Sequence, residues 1–322
     1  MNIWRIAIGR LLLGLVILFL VSLLIFFATN ILPGDAARAI LGRTATEESL
    51  RALRAQLHLD APLAVQYGRW LTGIFTGDFG ISLANRAPVA DIILPKVRNS
   101  ATLLFFVAIL GVPLSIVLAV LAATRWGRRF DNIVSVLALS IAAIPEFVVG
   151  IALVILLATV VFPILPPVSM VKPGAAVLGS PRILVLPALT LIIVIFPYIF
   201  RMVRASMIEV LESEYIEMAK LKGLSTRRIL WLHAMPNAIA PGIQVVALTL
   251  AYLAGGVVII EYLFGFPGIG QALIDAIRTR DVPVIQTIVL LLAAIYIALN
   301  IVADIGAILV TPKLWRGTWQ TK

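Results

Sequence analysis

Cysteine is absent from the 322 residues, which excludes disulfides, thiolate metal sites and cysteine nucleophiles. Histidine is nearly absent as well: His58 and His233 lie far apart in sequence and cannot make a histidine-rich metal site. Charge is scarce, at 13% Asp, Glu, Lys and Arg, against about 25% in an average soluble chain. No glycine-rich loop with a following Lys-Ser or Lys-Thr occurs, so the sequence holds nothing to cradle nucleotide phosphates. An internal repeat is also missing, which argues against a secondary transporter built on inverted repeats. A membrane enzyme would need a constellation of nucleophiles or metal ligands, and none is present.

What the chain has in excess is apolar residues, 61% of the total with a mean hydropathy of +1.07. They fall in runs of the length a helix needs to cross roughly 30 Å of hydrocarbon at about 1.5 Å per residue. Six runs are expected to span a bilayer: 11–28, 102–124, 133–161, 183–203, 238–260 and 284–310. The first follows Arg5 and Arg10 but has no small-residue cleavage site behind it, so it reads as an uncleaved membrane helix. The expected fold is all-α and membrane-integral, with a long structured external loop after the first helix. The N-terminal region covers 1–99 and the transmembrane core 100–322.

The net charge of +10 is read as the positive-inside bias of a membrane chain and not as a nucleic-acid footprint. With the N-terminus inside, fourteen Lys and Arg face the cytoplasm and twelve face out. Eight of those twelve lie in the first outer loop of about 70 residues, and loops longer than about 60 residues cross largely regardless of charge. Setting that loop aside leaves fourteen against four, which places both termini in the cytoplasm.

A loop of that length carries structure of its own. Thr46 can cap a helix with Glu47 and Glu48 in its first turn, Leu50, Leu53 and Leu57 along one face, and Arg51 and Arg54 towards its end. After Pro62 a second amphipathic stretch holds Tyr67, Trp70, Leu71, Ile74 and Phe75, aromatics suited to a membrane interface. The two helices are read as a packed cap on the outer mouth of the bundle, compatible with a dock for an arriving binding protein.

Prolines interrupt four of the spans, at Pro113, Pro145, Pro187 with Pro197, and Pro241, and each frees a backbone group that neighbouring helices or a wet cavity must satisfy. Gly255-Gly256 in the fifth span allows close helix approach. The longest cytoplasmic segment, about 204–236, lies between spans four and five. It reads as a helix over 209–222 with Glu217 three residues before Lys220, a left-handed turn at Gly223, and a second short helix that Ser225 caps and that stops near Pro236. Arg227 and Arg228 fall in the first turn of that second helix, where the helix dipole disfavours cations by about 0.3–1 kcal/mol each. Two readings stay open for them: obedience to the positive-inside rule, or contact with a partner's acidic surface.

This segment resembles that of binding-protein-dependent ABC permeases, in which Glu-Ala-Ala, three residues, Gly, nine residues and Ile-x-Leu-Pro recur. Here the pattern is Glu217-Met218-Ala219, Gly223, then His233-Ala234-Met235-Pro236 at the same spacing, with Met218, His233 and Met235 replacing Ala, Ile and Leu. The chain is similar to the peptide, glutathione and nickel branch at Leu32-Pro33-Gly34-Asp35, Leu57-His58-Leu59-Asp60, Gly77-Asp78-Phe79-Gly80-Ile81-Ser82 and Pro88-Val89. The likeness continues from Glu261 through Gly270 and from Arg280 through Gln286, and departs at the tail, Thr311-Pro312-Lys313.

The resemblance implies one of two similar permease subunits in the inner bacterial membrane. Two cytoplasmic ATPases would carry the ATP and Mg, and an external binding protein would deliver the substrate. In this chain the coupling surface would comprise Glu214, Tyr215, Glu217, Ala219, Lys220, Lys222, Gly223, Leu224, Arg227 and Arg228. Peptides are the expected cargo; nickel chelates, glutathione and oligosaccharide- or opine-type solutes are the alternatives. Glu146, after Pro145 in the third span, is too costly to expose to lipid, by about 2.5–3.5 kcal/mol for an acid on insertion scales. It is read either as a tie between helices or, with Tyr252, as part of the translocation path, offering charge to a cationic cargo group. Asp304, nearer the cytoplasmic end of the sixth span, is expected within reach of water.

Overall fold

The computed structural model describes residues 3–31, 46–56, 61–171 and 177–310. The motifs at 32–35 and 57–60, the tail from 311, and the side chains of Leu53, Arg54 and Pro241 lie outside the described residues. Among the described residues there is no strand, only an isolated bridge between Ile81 and Pro88.

In chain order the helices are α1 (Ile3–Ile31), α2 (Glu47–Gln56), α3 (Leu63–Thr76), α4 (Val89–Ala123), α5 (Arg129–Ala142), α6 (Glu146–Val154), α7 (Arg182–Leu211) and α8 (Glu214–Leu221). A single turn (Thr226–Arg228) and a π-helix (Ile229–Ala234) then lead into α9 (Met235–Phe264), α10 (Ile269–Thr279) and α11 (Val282–Val310). Four helices among the described residues are long and apolar enough to cross a membrane, or up to seven spans if each of three bent helix pairs counts as one.

Burial explains why α7 is the axis of the bundle. Its most apolar stretch is 67% buried, against 22% for α1 and 11% for α11. It packs against α4, α5, α6 and α9, with Leu191, Ile195, Ile199, Phe200 and Val203 fully enclosed. By contrast α1 leans mainly on α11, where Gly14 lets Ile297 approach so closely that an added Cβ would lie 2.7 Å from its Cγ2. The rest of α1 presents Leu11, Leu12, Leu15, Leu20 and Leu24 outward, which is how a helix facing hydrocarbon is built.

The third expected span is not one helix. Ala143, Ile144 and Pro145 break it, and the two halves meet at 105°, because a proline disfavours helical geometry in the residue before it. Its second half ends in a π-turn, Ile155–Thr159. Pro187, by contrast, stays inside α7. The carbonyl it frees, four residues earlier at Ile183, accepts the Ser169 hydroxyl at 2.7 Å, so the lost ladder bond is replaced from a neighbouring loop.

Two further departures concern the segment between spans four and five. The helix expected over 209–222 divides at Glu212–Ser213 into the end of α7 and a separate α8. Pro236 does not end the second short helix: it stands in the first turn of α9, where a missing N–H costs nothing, and the chain runs on through it. Helix α10 was not expected at all.

In the first loop Thr46 caps α2 as expected, its hydroxyl accepting the Ser49 N–H at 3.3 Å, and Leu50 is buried. The face of α3 carrying Tyr67 and Trp70 stacks on Phe26 of α1, and the Tyr67 hydroxyl shares a 2.7 Å hydrogen bond with Ser22. Phe75, on the same helix, stays outside this contact at 82% exposure.

Candidate functional site

At one end of the bundle, α8 lies across the ends of α4 and α7. Ile216 and Ala219 fill a cluster with Val120, Ala123, Met207, Ile229, Ala234 and Ala238. The i, i+3 spacing of Ile216 and Ala219 gives α8 one buried edge and turns the rest outward. Gly223 reverses the chain at φ +76°, the left-handed conformation expected for it, and the Leu224 N–H closes the turn on the Ala219 carbonyl at 3.3 Å. Ser225 stands at the following N-cap position, but its side chain makes no capping bond.

Of the residues singled out from sequence here, Glu214, Tyr215, Glu217, Lys220, Lys222, Gly223, Arg227 and Arg228 are exposed, Leu224 is half-buried and Ala219 is buried. No ion pair joins Glu217 to Lys220 among the described residues, and neither Arg227 nor Arg228 meets an acidic side chain there. Tyr215 is fixed by Asn237, whose side-chain N–H donates to the phenol at 3.1 Å and to the His233 carbonyl at 2.8 Å. Apolar side chains surround the basic ones: Met218, Leu221, Trp231 and Leu232 are all more than half exposed. Ser225, Arg227, Arg228, Trp231 and Leu232 line a shallow concavity. Sequence reasoning picked out the charges and missed this apolar part, although Trp231-Leu232 in a polar segment was the available signal.

The same end is braced by two ion pairs. Asp131, fully buried at the start of α5, receives both Arg204 contacts, Nε at 2.5 Å and Nη2 at 2.7 Å, together with the Gly127 N–H at 3.0 Å. This bidentate geometry fixes the loop before α5 to the end of α7. Arg10 reaches Asp304 at 3.2 Å, tying α1 to α11, and Asp304 keeps partial exposure as expected.

The opposite end is closed by carboxylates whose partners lie far apart in sequence. Asp281 is buried and accepts the Ser82 hydroxyl and, at 3.0 Å, the Leu83 N–H, so the Gly77–Ser82 motif and the Arg280–Asp281 motif form one structure. Glu261 is fully buried near the end of α9. Its carboxyl takes the Ser100 hydroxyl at 2.5 Å and the Gly270 N–H at 2.6 Å, in the first turn of α10, where the helix dipole favours an acid. The Ser100 oxygen in turn accepts the Ile269 N–H at 2.9 Å.

Glu146, the first residue of α6, is half-buried against α9. A Cβ added to Gly256 would lie 3.2 Å from its Oε2 and 3.6 Å from Tyr252. That Oε2 is buried and has no hydrogen-bond partner, so of the two readings of Glu146 the tie between helices is not made through this atom. Tyr252 is about half exposed, and so is Tyr198 of α7, which lies within electrostatic reach of it, as does Glu146. Among the described residues no group of three or more His, Cys, Asp and Glu could hold a metal ion.

Comparison with known proteins gives this geometry its context. Residues 111–316 match the family described as binding-protein-dependent transport system inner membrane component, and residues 3–104 match its N-terminal family. A probable peptide ABC transporter permease, y4tP of Sinorhizobium fredii, is 33% identical over 95% of this chain and 97% of its own length. A putative peptide transport system permease of Brucella abortus is 34% identical over 92% of this chain and 95% of its own. The glutathione transport system permease GsiC of Escherichia coli K12 is 34% identical over 94% and 96%. With both family models matched and relatives aligned from end to end, the chain belongs to the inner-membrane permeases of binding-protein-dependent ABC importers.

Proposed function

We propose that this permease imports di- or oligopeptides, working as one of two similar membrane subunits with two ATPase subunits and an extracytoplasmic binding protein. The names of its relatives support peptide-type cargo, glutathione being itself a small peptide. Selection among cargoes rests mainly with the binding protein. ATP and Mg belong to the ATPases, and the chain transmits their closure without hydrolysing nucleotide. The chain divides into a 1–99 N-terminal region, with α1 and the cap helices, and a 100–322 core, a division that two family models meeting between residues 104 and 111 support. Both termini and the α8 end face the cytoplasm; the Asp281 end faces outward, where α2 and α3 cap the mouth.

One observation carries the coupling role. The segment 212–234 is anchored from beneath by Ile216, Ala219 and Ile229 while offering Tyr215, Met218, Leu221, Trp231, Arg227 and Arg228 to a partner. An apolar centre ringed by basic side chains suits a groove with an acidic rim, and unpaired cations early in a helix are relieved by such a partner.

Because the chain lacks cysteine, each single replacement places one thiol at a known position in this subunit. Met218→Cys or Lys222→Cys in the assembled complex is expected to cross-link to an ATPase subunit, while Arg182→Cys, at the start of α7, is not. Cross-linking from Arg182→Cys and none from the other two would overturn the assignment.

A further inference from the structure

We propose that Glu146, Tyr198 and Tyr252 form a station for a cationic side chain of the cargo, the ammonium of a lysine or the guanidinium of an arginine, midway along the translocation path. The inference rests on the importer reading above and adds a chemical preference residing in the membrane subunit itself.

The exposed surfaces of the bundle are of two kinds. That of α1 from Leu11 to Phe27 is leucine, valine, isoleucine and phenylalanine throughout. The open stripe of α9 runs Leu248, Tyr252, Gly255, Ile259 and Tyr262 at helical spacing, and beside it α7 exposes Tyr198 and Met202. Tyr252 lies within about one turn of the middle of the thirty-residue α9, far from the interfacial depth where tyrosines are enriched, and Tyr198 joins the same wall from α7, one turn before Arg201. Polar rings at that depth belong on a wall facing protein or water rather than lipid.

The broken third span ends its first half at this wall. The 105° bend delivers Glu146 to Gly256, and the missing side chain at Gly256 leaves room for the carboxyl. Gly255, the residue before Gly256 along the helix, would meet nothing within 4 Å if it carried a Cβ, so the wall is open at that position. A tie between helices would show its acceptor atoms occupied, as those of Glu261, Asp281 and Asp131 are. Glu146 Oε2 is the exception among these acids, buried and without a partner. Its place at the first turn of α6 favours a negative charge. A carboxylate beside the Tyr252 ring, with Tyr198 within electrostatic reach of that ring, is a grouping that receives a cation through charge and through the ring faces.

The test uses the complete transporter in proteoliposomes, with ATP inside and binding protein outside. Uptake of Ala-Lys-Ala and of Ala-Gln-Ala is compared between wild type and Glu146→Gln. Taking each peptide's variant-to-wild-type ratio cancels the binding protein's own preference. The loss for Ala-Lys-Ala is expected to exceed that for Ala-Gln-Ala by about ten-fold, equivalent to about 1.4 kcal/mol, and Tyr252→Leu is expected to shift the ratio the same way while Tyr252→Phe leaves it unchanged. Glu146→Lys is expected to reverse the preference in favour of Ala-Glu-Ala. Equal losses for the two peptides, with strong wild-type uptake and intact assembly, would overturn the station and leave the importer standing. No ATP-dependent uptake of either peptide by wild type would remove the peptide-importer reading and this inference with it.

Discussion

Glycine in the loop from Glu261 to Gly270 is a requirement of space, and only at Gly265 one of backbone angle. Gly265 caps α9 at φ +59°, but Gly268 and Gly270 serve to let α10 fold down onto a carboxyl group. An added Cβ would lie 2.1 Å from Glu261 Oε1 at Gly268 and 2.3 Å from the Val258 Cα at Gly270. The second contact is with backbone, which cannot rotate away. Gly270→Ala should therefore push α10 off α9 and lengthen the 2.6 Å bond to Glu261, at a cost in the range of about 1–3 kcal/mol usual for overpacking. Thermal unfolding of the purified complex in detergent checks this: the Gly270→Ala melting temperature should fall clearly, while Gly68→Ala, with nothing within 4 Å, should not fall. An unchanged midpoint for Gly270→Ala would mean that α9 and α10 are not held as described.

At the scale of elements, the apolar runs were legible because a bilayer imposes length and hydropathy together. Every run expected to span coincides with a helix or a bent helix pair among the described residues. The left-handed turn at Gly223 was legible for a local reason too, a glycine at the end of a helix-forming stretch. What stayed hidden was long-range. Ser100 with Glu261 and Ser82 with Asp281 are separated by 161 and 199 residues, and no periodicity relates them, although both acids stand in motifs noted from the sequence. The bend at Pro145 stayed hidden because a proline in an apolar run is compatible with a kinked helix as well as with a break; Pro187 and Pro145 take opposite courses, and Ser169 makes the difference at Pro187 by satisfying the freed carbonyl. The side of the membrane proposed for each element end rests on the bias of fourteen basic residues to four. Reporter fusions at Thr124 and Leu224 should read as cytoplasmic, and fusions at Gly77 and Arg280 as external. A cytoplasmic reading at Gly77 would reverse the orientation and remove the cap role of α2 and α3.

On the scale of the whole molecule, the bundle has two differently fastened ends around one axis helix. The end bearing Asp281 and Glu261 is stitched by buried carboxyls across α4, α9, α10 and the loop before α4. The end bearing α8 is held by one buried ion pair and a small apolar cluster, leaving a basic and apolar surface uncovered. Such an arrangement suits a subunit pushed from the α8 end by a partner. Force delivered there would reach α4 and α7 through the packing of Ile216 and Ala219, and α7 touches most of the remaining core. The geometry of the Gly223 turn is what keeps α8 and the Arg227–Arg228 turn in register. A β-branched residue at φ +76° is strained by roughly 1–2 kcal/mol, enough to distort the surface without expelling the chain from the membrane. The most direct measurement is ATP-driven peptide uptake by the reconstituted complex carrying Gly223→Val, with ATP hydrolysis and subunit recovery followed in parallel. The account predicts that the four-part membrane complex docks poorly or hydrolyses ATP without responding to loaded binding protein, and that uptake falls at least about ten-fold; wild-type uptake, with normal assembly and normal stimulation of hydrolysis, would contradict it.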